Sequence, residues 1–369
     1  MAYLSEAQLQ NLHKYKYSGV DKSLVSKYIL QPYWTRLVKL FPLWMAPNLI
    51  TLLGFSCVVF NMLLVLYYDH DLSGQCPNWV YYSAALGIWI YQSFDAIDGK
   101  QARRTGTSGP LGELFDHGCD ALNTSVGTII VTEALQLRQS WWTVISIFTA
   151  LANFYLSTWE EYHTGTLYLS YFSGPVEGVL ILIASLLLTG YAGPSVWLQS
   201  YKQLLGLGEL LPDGLVPDMQ LNHLTIISQL FGAIAGLAPF GALSVVAYAW
   251  LRTSPELLTR HLIAFILYIG ATFGIMVGRI ILAHVVKSAF PYFHITYVPL
   301  LFGAVNALLP RLNIPPIVPF VHETAYLHAS LALVGAAYVY FCMTVIRDIC
   351  RYLDINCLSI KQKTGKKDH

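Results

Sequence analysis

Nine long apolar stretches divide this chain and limit what it can fold into. Each of the longer ones could cross a hydrocarbon core of roughly 30 Å as a helix. Hydrophobic residues make up 55% of the chain and charged residues 12%, against roughly 25% charged in soluble domains. We therefore predict an all-α, polytopic integral membrane helix bundle. The stretches cover about residues 48–68, 79–97, 111–135, 141–160, 176–192, 222–250, 258–285, 293–309 and 325–348.

The two ends of the chain predict an even number of crossings. The basic N-terminal region and the C-terminal KQKTGKK both favour the cytosolic side of a membrane. Nine spans would separate them, so we expect about ten transmembrane helices, with eight as the alternative. We expect the error in the number of spans to lie at 222–250, which Pro239 interrupts, or in the proline-rich region 310–320.

The segment before the first span has its own character. Residues 21–44 mix Lys and Arg with Leu, Ile, Tyr and Trp at helical spacing. This pattern predicts an amphipathic helix in the cytosolic headgroup layer, and an ordinary soluble helix is the alternative.

We divide the chain into four parts. These are a cytosolic N-terminus with the interfacial helix (1–44), a transmembrane core that contains the stretch 95–120 (45–200), the remaining transmembrane helices (201–350) and a cytosolic basic tail (351–369).

The stretch from Ser93 to Thr124 concentrates charge in a chain that otherwise avoids it. Carboxylates in or near a membrane span are costly and usually mark function. Like charges so close together oppose one another's ionisation unless a cation compensates them, and one or two divalent metal ions are the simplest compensation. The acidic and histidine residues of this stretch are Asp95, Asp98, Glu113, Asp116, His117 and Asp120.

The spacing of the aspartates predicts that they face each other. Asp95 and Asp98 stand three positions apart at the end of one predicted helix, and Asp116 and Asp120 stand four apart on the next. Carboxylate oxygens suit Mg²⁺ or Mn²⁺. Two such ions would fit a phosphoryl-transfer site, where they neutralise attacking and leaving oxygens.

Three basic residues, Lys100, Arg103 and Arg104, lie in a predicted loop at 99–110 that is rich in Gly, Ser and Thr. They offer an alternative in which the stretch is only a buried ion-pair network. Three cations do not balance four aspartates and Glu113, so a metal site is favoured. Arg103 could grip a phosphate with two hydrogen bonds, and Gly99 and Gly112 would let a ligand approach the backbone.

A proton acceptor is needed if the site transfers a phosphoryl group. Aspartates that bind metal are poor bases, whereas His117 titrates near working pH. Glu113, one turn earlier, would orient the imidazole. Asp120 is the competing candidate for the base.

Other candidates lie outside this stretch. Asn48, at the mouth of the first span, is predicted either to bind a nucleotide or to cap the helix. An aromatic and acidic group could bind a quaternary ammonium, or could instead be an interfacial belt. This group comprises Trp159, Glu160, Glu161 and Tyr162.

The central stretch also resembles a known signature. The residues from Asp95 to Asp120 match D-x-x-D-G-x-x-A-R-x(8)-G-x-x-x-D-x-x-x-D, in which Ala102 fills the alanine position. This is the signature of the CDP-alcohol phosphotransferase family. The flanks APNLITLLG, GPLGELFDHGCD, STWEEYHT and GPVEG resemble its eukaryotic choline/ethanolamine phosphotransferase branch, fungal members included, and the similarity extends over most of the chain.

The resemblance implies a function. Members transfer phosphocholine or phosphoethanolamine from CDP-choline or CDP-ethanolamine to diacylglycerol, giving phosphatidylcholine or phosphatidylethanolamine and CMP, the last step of the Kennedy pathway. It further implies Mg²⁺ or Mn²⁺ on the four aspartates, a homodimer, and a place in the endoplasmic reticulum or Golgi membrane. The cytosolic character of the 99–110 region predicts an active site that faces the cytosol.

Three other functions are weighed against this one. A CDP-diacylglycerol-dependent phospholipid synthase would use the same motif, but the flanks and chain length disfavour it. A cation-coupled transporter would place its acids near the bilayer midplane and show repeated halves, neither of which is visible. The formal net charge of +1 gives no support to nucleic-acid binding, and we expect none.

Overall fold

The computed structural model describes residues 3–169, 175–204, 219–226 and 238–361. Two short strands are β1 (Gly19–Asp21) and β2 (Leu167–Leu169). The helices are α1 (Glu6–Asn11), α2 (Gln31–Leu37), α3 (Pro47–Tyr68), α4 (Asn78–Thr105), α5 (Pro110–Ala134), α6 (Trp141–Thr164), α7 (Pro175–Ala192), α8 (Tyr201–Leu204), α9 (Ala238–Thr253), α10 (Pro255–Arg260), α11 (Leu262–Val285), α12 (Tyr297–Leu308) and α13 (Glu323–Leu353).

The prediction of an all-α membrane helix bundle is confirmed. Three of the described helical segments are long and apolar enough to cross a membrane, namely Pro47–Tyr68, Leu262–Val285 and Phe320–Leu353. The count of about ten crossings stays a prediction, because 227–237 lies outside the described residues. The 310–320 region contributes no further crossing, since between α12 and α13 the chain forms only short 3-10 turns.

Helix α11 lies at the centre of the bundle, where it packs against α5, α6 and α13. Gly270, Gly274 and Gly278 follow one another at four-residue intervals along it. An added Cβ at Gly270 would lie 2.7 Å from the Cβ of Ser125, and one at Gly274 would lie 2.7 Å from the ring of Tyr338. The glycines therefore let neighbouring helices approach closely, as small residues do in membrane bundles.

Replacing Gly270 with Ala is expected to destabilise the protein. The new methyl group would clash with a Cβ atom that side-chain rotation does not move, and overpacking of this kind costs about 1–3 kcal/mol. Thermal unfolding of the protein in detergent measures the effect as a lower Tm. Gly335→Ala on α13, where an added Cβ meets no atom within 4 Å, is the matched control. An equal Tm for the two variants would contradict the prediction.

The turn between α4 and α5 is shorter than the sequence predicts. Residues 99–105 continue α4 instead of forming a loop, because no proline interrupts this stretch and the single glycine, Gly99, is tolerated within the helix. The helix ends at Gly106, whose φ of 66° favours glycine. Only residues 106–109 then connect to Pro110, the first residue of α5. This tight reversal places the two halves of the acidic stretch side by side.

The last turns of α4 also form hydrogen bonds with the predicted amphipathic segment at 21–44. Helical turns run from Ser26 through α2 to Leu40, so part of the predicted helix 21–44 is observed. The Lys100 amine donates to the Gln31 side chain at 2.8 Å, and Gln101 Nε2 donates to the Pro42 carbonyl at 2.9 Å. Its place in the headgroup layer stays a prediction.

The two strands form a feature that the sequence did not predict. β1 pairs in parallel with β2, with Gly19 opposite Leu167. This pairing ties the N-terminal segment to the chain that follows α6. Part of the predicted basic tail at 351–369 is described as far as residue 361, and the rest lies outside the described residues.

Candidate active site

The four aspartates lie together between α4 and α5, the two helices that residues 106–109 connect. Carboxylate oxygens of Asp95, Asp116 and Asp120 lie within 4.8 Å of one another. Asp98 is close enough to Asp116 and Asp120 to interact with both. The predicted spacing thus brings all four carboxylates together, two from each helix.

The donor set fits a divalent cation. Asp95 Oδ1 and Asp116 Oδ1 are buried, and neither has a hydrogen-bond partner among the described residues. Buried carboxylate oxygens are normally satisfied, and a metal ion held by Asp95, Asp116 and Asp120 could satisfy these two atoms. Oxygen-only ligands select Mg²⁺ or Mn²⁺ over softer metals.

The alternative of an ion-pair network does not fit the described contacts. Lys100 is bound by Gln31 and Thr35, and Arg104 donates to the carbonyls of Val38 and Phe41. Among the described residues, no salt bridge joins these cations to the aspartates. Lys100 and Arg104 therefore stabilise the N-terminal helical segment, and they do not neutralise the charge of the aspartates.

The predicted phosphate-binding residues border the aspartates. Arg103 is exposed, and an added Cβ at Gly99 would lie 3.6 Å from Arg103 Nη1, so the guanidinium folds back beside this glycine. An added Cβ at Gly112 would meet no atom within 4 Å, which leaves space above the backbone. The carbonyl of Ala102 accepts hydrogen bonds from the amides that end α4, so this residue also shapes the turn.

His117 lies on the same face of α5, buried with 8% of its surface exposed. Its Nδ1 is 3.0 Å from the backbone carbonyl of Glu113, and its Nε2 is 3.7 Å from Glu161 Oε2. Glu113 therefore orients the ring through its main chain, and not through its carboxylate as the sequence suggested. With Nδ1 donating to this carbonyl, Nε2 is left free to accept a proton.

The carboxylate of Glu113 has a different partner, the hydroxyl of Tyr15, which donates to Oε2. Burial, reinforced by the Glu113 charge, raises the pKa of Tyr15, so the hydroxyl stays protonated. Burial likewise raises the pKa of Tyr17 to about 12, with Glu161 as the next cause. Both tyrosines come from the N-terminal segment, which precedes the first long helix.

A second cluster adjoins the aspartates. Ligand atoms of Glu113, Glu161 and His284 lie within 4.8 Å of one another, and all three residues are buried. Glu161 is 4% exposed and Glu113 is 8% exposed. Two buried carboxylates so close to a pair of histidines form an environment that favours a cation.

The four residues predicted to bind a headgroup separate in the structure. Only Glu161 contacts His117. Trp159 is 40% exposed, Glu160 is exposed, and the Tyr162 hydroxyl donates to the Ser288 carbonyl at 2.7 Å. The rotation of α6 about its axis directs Glu161 toward His117, whereas the adjacent side chains point toward solvent or other segments.

Asn48 does not cap α3. The N-cap is Ala46, followed by Pro47 at the first helical position. Asn48 Nδ2 instead donates to the Cys357 carbonyl at 3.1 Å, which ties the C-terminal segment to the start of α3. The capping alternative is therefore wrong, and the nucleotide-binding role stays a prediction.

Sequence reasoning assigned no role to three hydroxyl groups that contact the site acids. Thr51 donates to Asp98 Oδ2 at 2.6 Å, Tyr91 donates to Asp120 Oδ1 at 2.5 Å, and Tyr15 donates to Glu113. Each bond joins different helices or segments. No local pattern could have found these pairs, although Thr51 and Tyr91 stand one turn from Asn48 and Asp95 respectively.

Comparison with known proteins places the chain in a family. A family model described as CDP-alcohol phosphatidyltransferase matches residues 44–207. Choline/ethanolaminephosphotransferase 1 of Saccharomyces cerevisiae is 39% identical over 395 residues, covering 98% of both chains. The Arabidopsis thaliana protein of the same name is 36% identical, covering 98% of this chain and 100% of its own. Cholinephosphotransferase 1 of Saccharomyces cerevisiae is 34% identical, covering 97% and 98%.

Proposed function

Because the chain belongs to the CDP-alcohol phosphatidyltransferase family, we propose that it transfers phosphocholine or phosphoethanolamine from the CDP-alcohol to diacylglycerol. The products are phosphatidylcholine or phosphatidylethanolamine and CMP. The names of the relatives support this choice of substrates. The observation that carries the proposal is the group of aspartates on α4 and α5, in which Asp95 and Asp116 each have a buried oxygen without a hydrogen-bond partner among the described residues.

The binding roles follow from position. Asp95, Asp98, Asp116 and Asp120 would hold one or two divalent ions, which supply charge neutralisation on the diphosphate when bound. Arg103 approaches the same phosphates, and the open backbone at Gly99 and Gly112 leaves them room. Thr51 and Tyr91 fix the orientation of Asp98 and Asp120.

The chemical step needs one proton acceptor. The hydroxyl oxygen of diacylglycerol forms a bond to the phosphorus that carries the choline or ethanolamine, and the bond from this phosphorus to the CMP oxygen breaks. The hydroxyl proton passes to His117 Nε2, since Nδ1 faces the Glu113 carbonyl. The nearby charge of Glu161 stabilises the imidazolium. We propose that diacylglycerol arrives laterally from the bilayer.

A reconstituted assay tests the proposal. Purified protein in liposomes receives diacylglycerol, Mg²⁺ or Mn²⁺, and either radiolabelled CDP-choline or CDP-ethanolamine. Release of CMP with label in phospholipid is expected. Product formed only from CDP-diacylglycerol and a free alcohol would overturn it in favour of the other synthase class.

The headgroup site follows from the second cluster. We propose that the carboxylates of Glu161 and Glu113 attract the ammonium of the donor, with the rings of Tyr15 and Tyr17 nearby. Trp159, Glu160 and Tyr162, named with Glu161 from the sequence, remain candidates at the outer edge.

Replacing Glu161 with Gln is expected to raise the KM for CDP-choline about tenfold or more. The variant keeps the shape of the side chain but loses a buried charge opposite the ammonium, an interaction worth about 1.5–3 kcal/mol. Steady-state kinetics in liposomes measures the KM, and Glu256→Gln, on an exposed glutamate of α10, is the control. An unchanged KM for Glu161→Gln would remove the residue from headgroup binding.

Placement and assembly complete the proposal. The protein is an integral membrane protein, and we propose that it lies in the endoplasmic reticulum or Golgi membrane with its site toward the cytosol. The basic residues 100–104 beside the site support that orientation. The proposed homodimer rests on the family resemblance.

A further inference from the structure

The N-terminal strap, defined as Tyr3–Ser23, contacts several helices of the bundle and reaches Glu113 of the site through Tyr15. At its start, the amides of Tyr3 and Leu4 donate to Asp348 Oδ2 on α13, at 2.5 and 3.3 Å. Farther along, Asn11 Nδ2 donates to the Val286 carbonyl at the end of α11, at 2.9 Å. The first half of the strap is thus fastened to two core helices.

The second half of the strap is fastened as well. Ser18 Oγ lies 3.0 Å from Thr166 Oγ1, and β1 pairs with β2 directly after it. At the end of the strap, the Ser23 hydroxyl donates to Glu177 Oε1 at the start of α7. Tyr15 lies between the two fastened halves, so its position is set from both sides.

Tyr15 joins the strap to α5. Its hydroxyl occupies Glu113 Oε2, whereas Glu113 Oε1 is buried and has no hydrogen-bond partner among the described residues. The same Glu113 carboxylate belongs to the cluster with Glu161 and His284. The hydrogen bond from Tyr15 to Glu113 Oε2 therefore restricts the direction in which Glu113 Oε1 points.

We infer that Tyr15 is a positioning residue which, by holding Glu113 Oε2, aims Glu113 Oε1 at the ammonium group of the CDP-alcohol. The inference rests on the proposed function. It makes the N-terminal strap a wall of the active site. The raised pKa of Tyr15 agrees with it, because a hydroxyl that stays protonated can only donate to the carboxylate.

Binding measurements on the Tyr15→Phe variant test this role. Full-length protein in detergent is titrated by calorimetry with CDP-choline and, separately, with CMP, which lacks the ammonium. Phe keeps the ring and removes only the hydroxyl. We expect the Kd and the KM for CDP-choline to rise about tenfold to a hundredfold, the effect of losing one hydrogen bond to a charged group. The Kd for CMP should stay unchanged.

Two further variants sharpen the test. Tyr28→Phe, on a tyrosine that is 67% exposed, should match the wild type. In the double variant Tyr15→Phe with Glu113→Gln, removing the hydroxyl should add little to the loss caused by Glu113→Gln alone, because contacting residues that act through one another are non-additive.

Several results would overturn the inference. Equal weakening of CMP and CDP-choline binding would show that the hydroxyl only stabilises the fold. Wild-type affinity in Tyr15→Phe, or an undiminished loss in the Glu113→Gln background, would also reject it. Failure of the proposed function is seen separately, as wild-type protein that releases no CMP from either donor, and the inference would then fall with it.

Discussion

Replacing Asp116 with Asn is expected to reduce the release of CMP by about three orders of magnitude or more. The substitution removes one charge from a group of carboxylates whose oxygens lie within 4.8 Å of one another. A loss of about 4 kcal/mol of charge stabilisation in the transition state corresponds to about a thousandfold in rate. Steady-state assays with CDP-choline and diacylglycerol over a range of Mn²⁺ concentrations measure the change.

A binding readout separates a lost metal ligand from a misfolded helix. Mn²⁺ titration followed by electron paramagnetic resonance should show weaker binding in Asp116→Asn, while its Tm without metal should not fall, because the substitution relieves repulsion among the acids. Asp71→Asn, an exposed aspartate beside His70, is the matched control. Wild-type Mn²⁺ affinity in Asp116→Asn would exclude this residue as a ligand.

The aspartates could be predicted because their relation is local. Spacings of three and four residues put each pair on one helix face, and a turn of a few residues lets only neighbouring faces meet. The same reasoning misjudged the end of α4. The change from apolar to polar residues after Asp98 suggested a loop, but a helix that emerges from an apolar layer needs no loop, and here it continues to Thr105.

The surroundings of the aspartates could not be predicted from the sequence, because they depend on how distant segments pack. Glu160 and Glu161 are adjacent and chemically alike, yet only the rotation of α6 brings Glu161 to His117. Tyr15 reaches Glu113 across 98 positions of sequence. Asn48 looked equally suited to a helix cap or to a nucleotide, and the structure instead pairs it with Cys357. Contacts of this range leave no periodic signal.

Replacing His117 with Ala is expected to lower kcat by about a hundredfold to ten-thousandfold, the usual contribution of a positioned general base, with little change in the affinity for CDP-choline. The reason is positional. Nε2 faces Glu161 and is the nitrogen left free when Nδ1 donates to the Glu113 carbonyl. Single-turnover assays for kcat and calorimetric titration with CDP-choline make the two measurements, and His70→Ala, on an exposed histidine, is the control.

Chemical rescue decides between His117 and Asp120 as the base. The alanine variant leaves a space the size of an imidazole beside Glu161, so added imidazole should restore part of the lost rate if His117 accepts the proton. Asp120 accepts a hydrogen bond from the hydroxyl of Tyr91 and lies among the proposed metal ligands, so its carboxylate already has other partners. Near-normal turnover in His117→Ala would transfer the role to Asp120. A loss that imidazole does not relieve, together with weakened CDP-choline binding, would leave His117 only a packing role on α5.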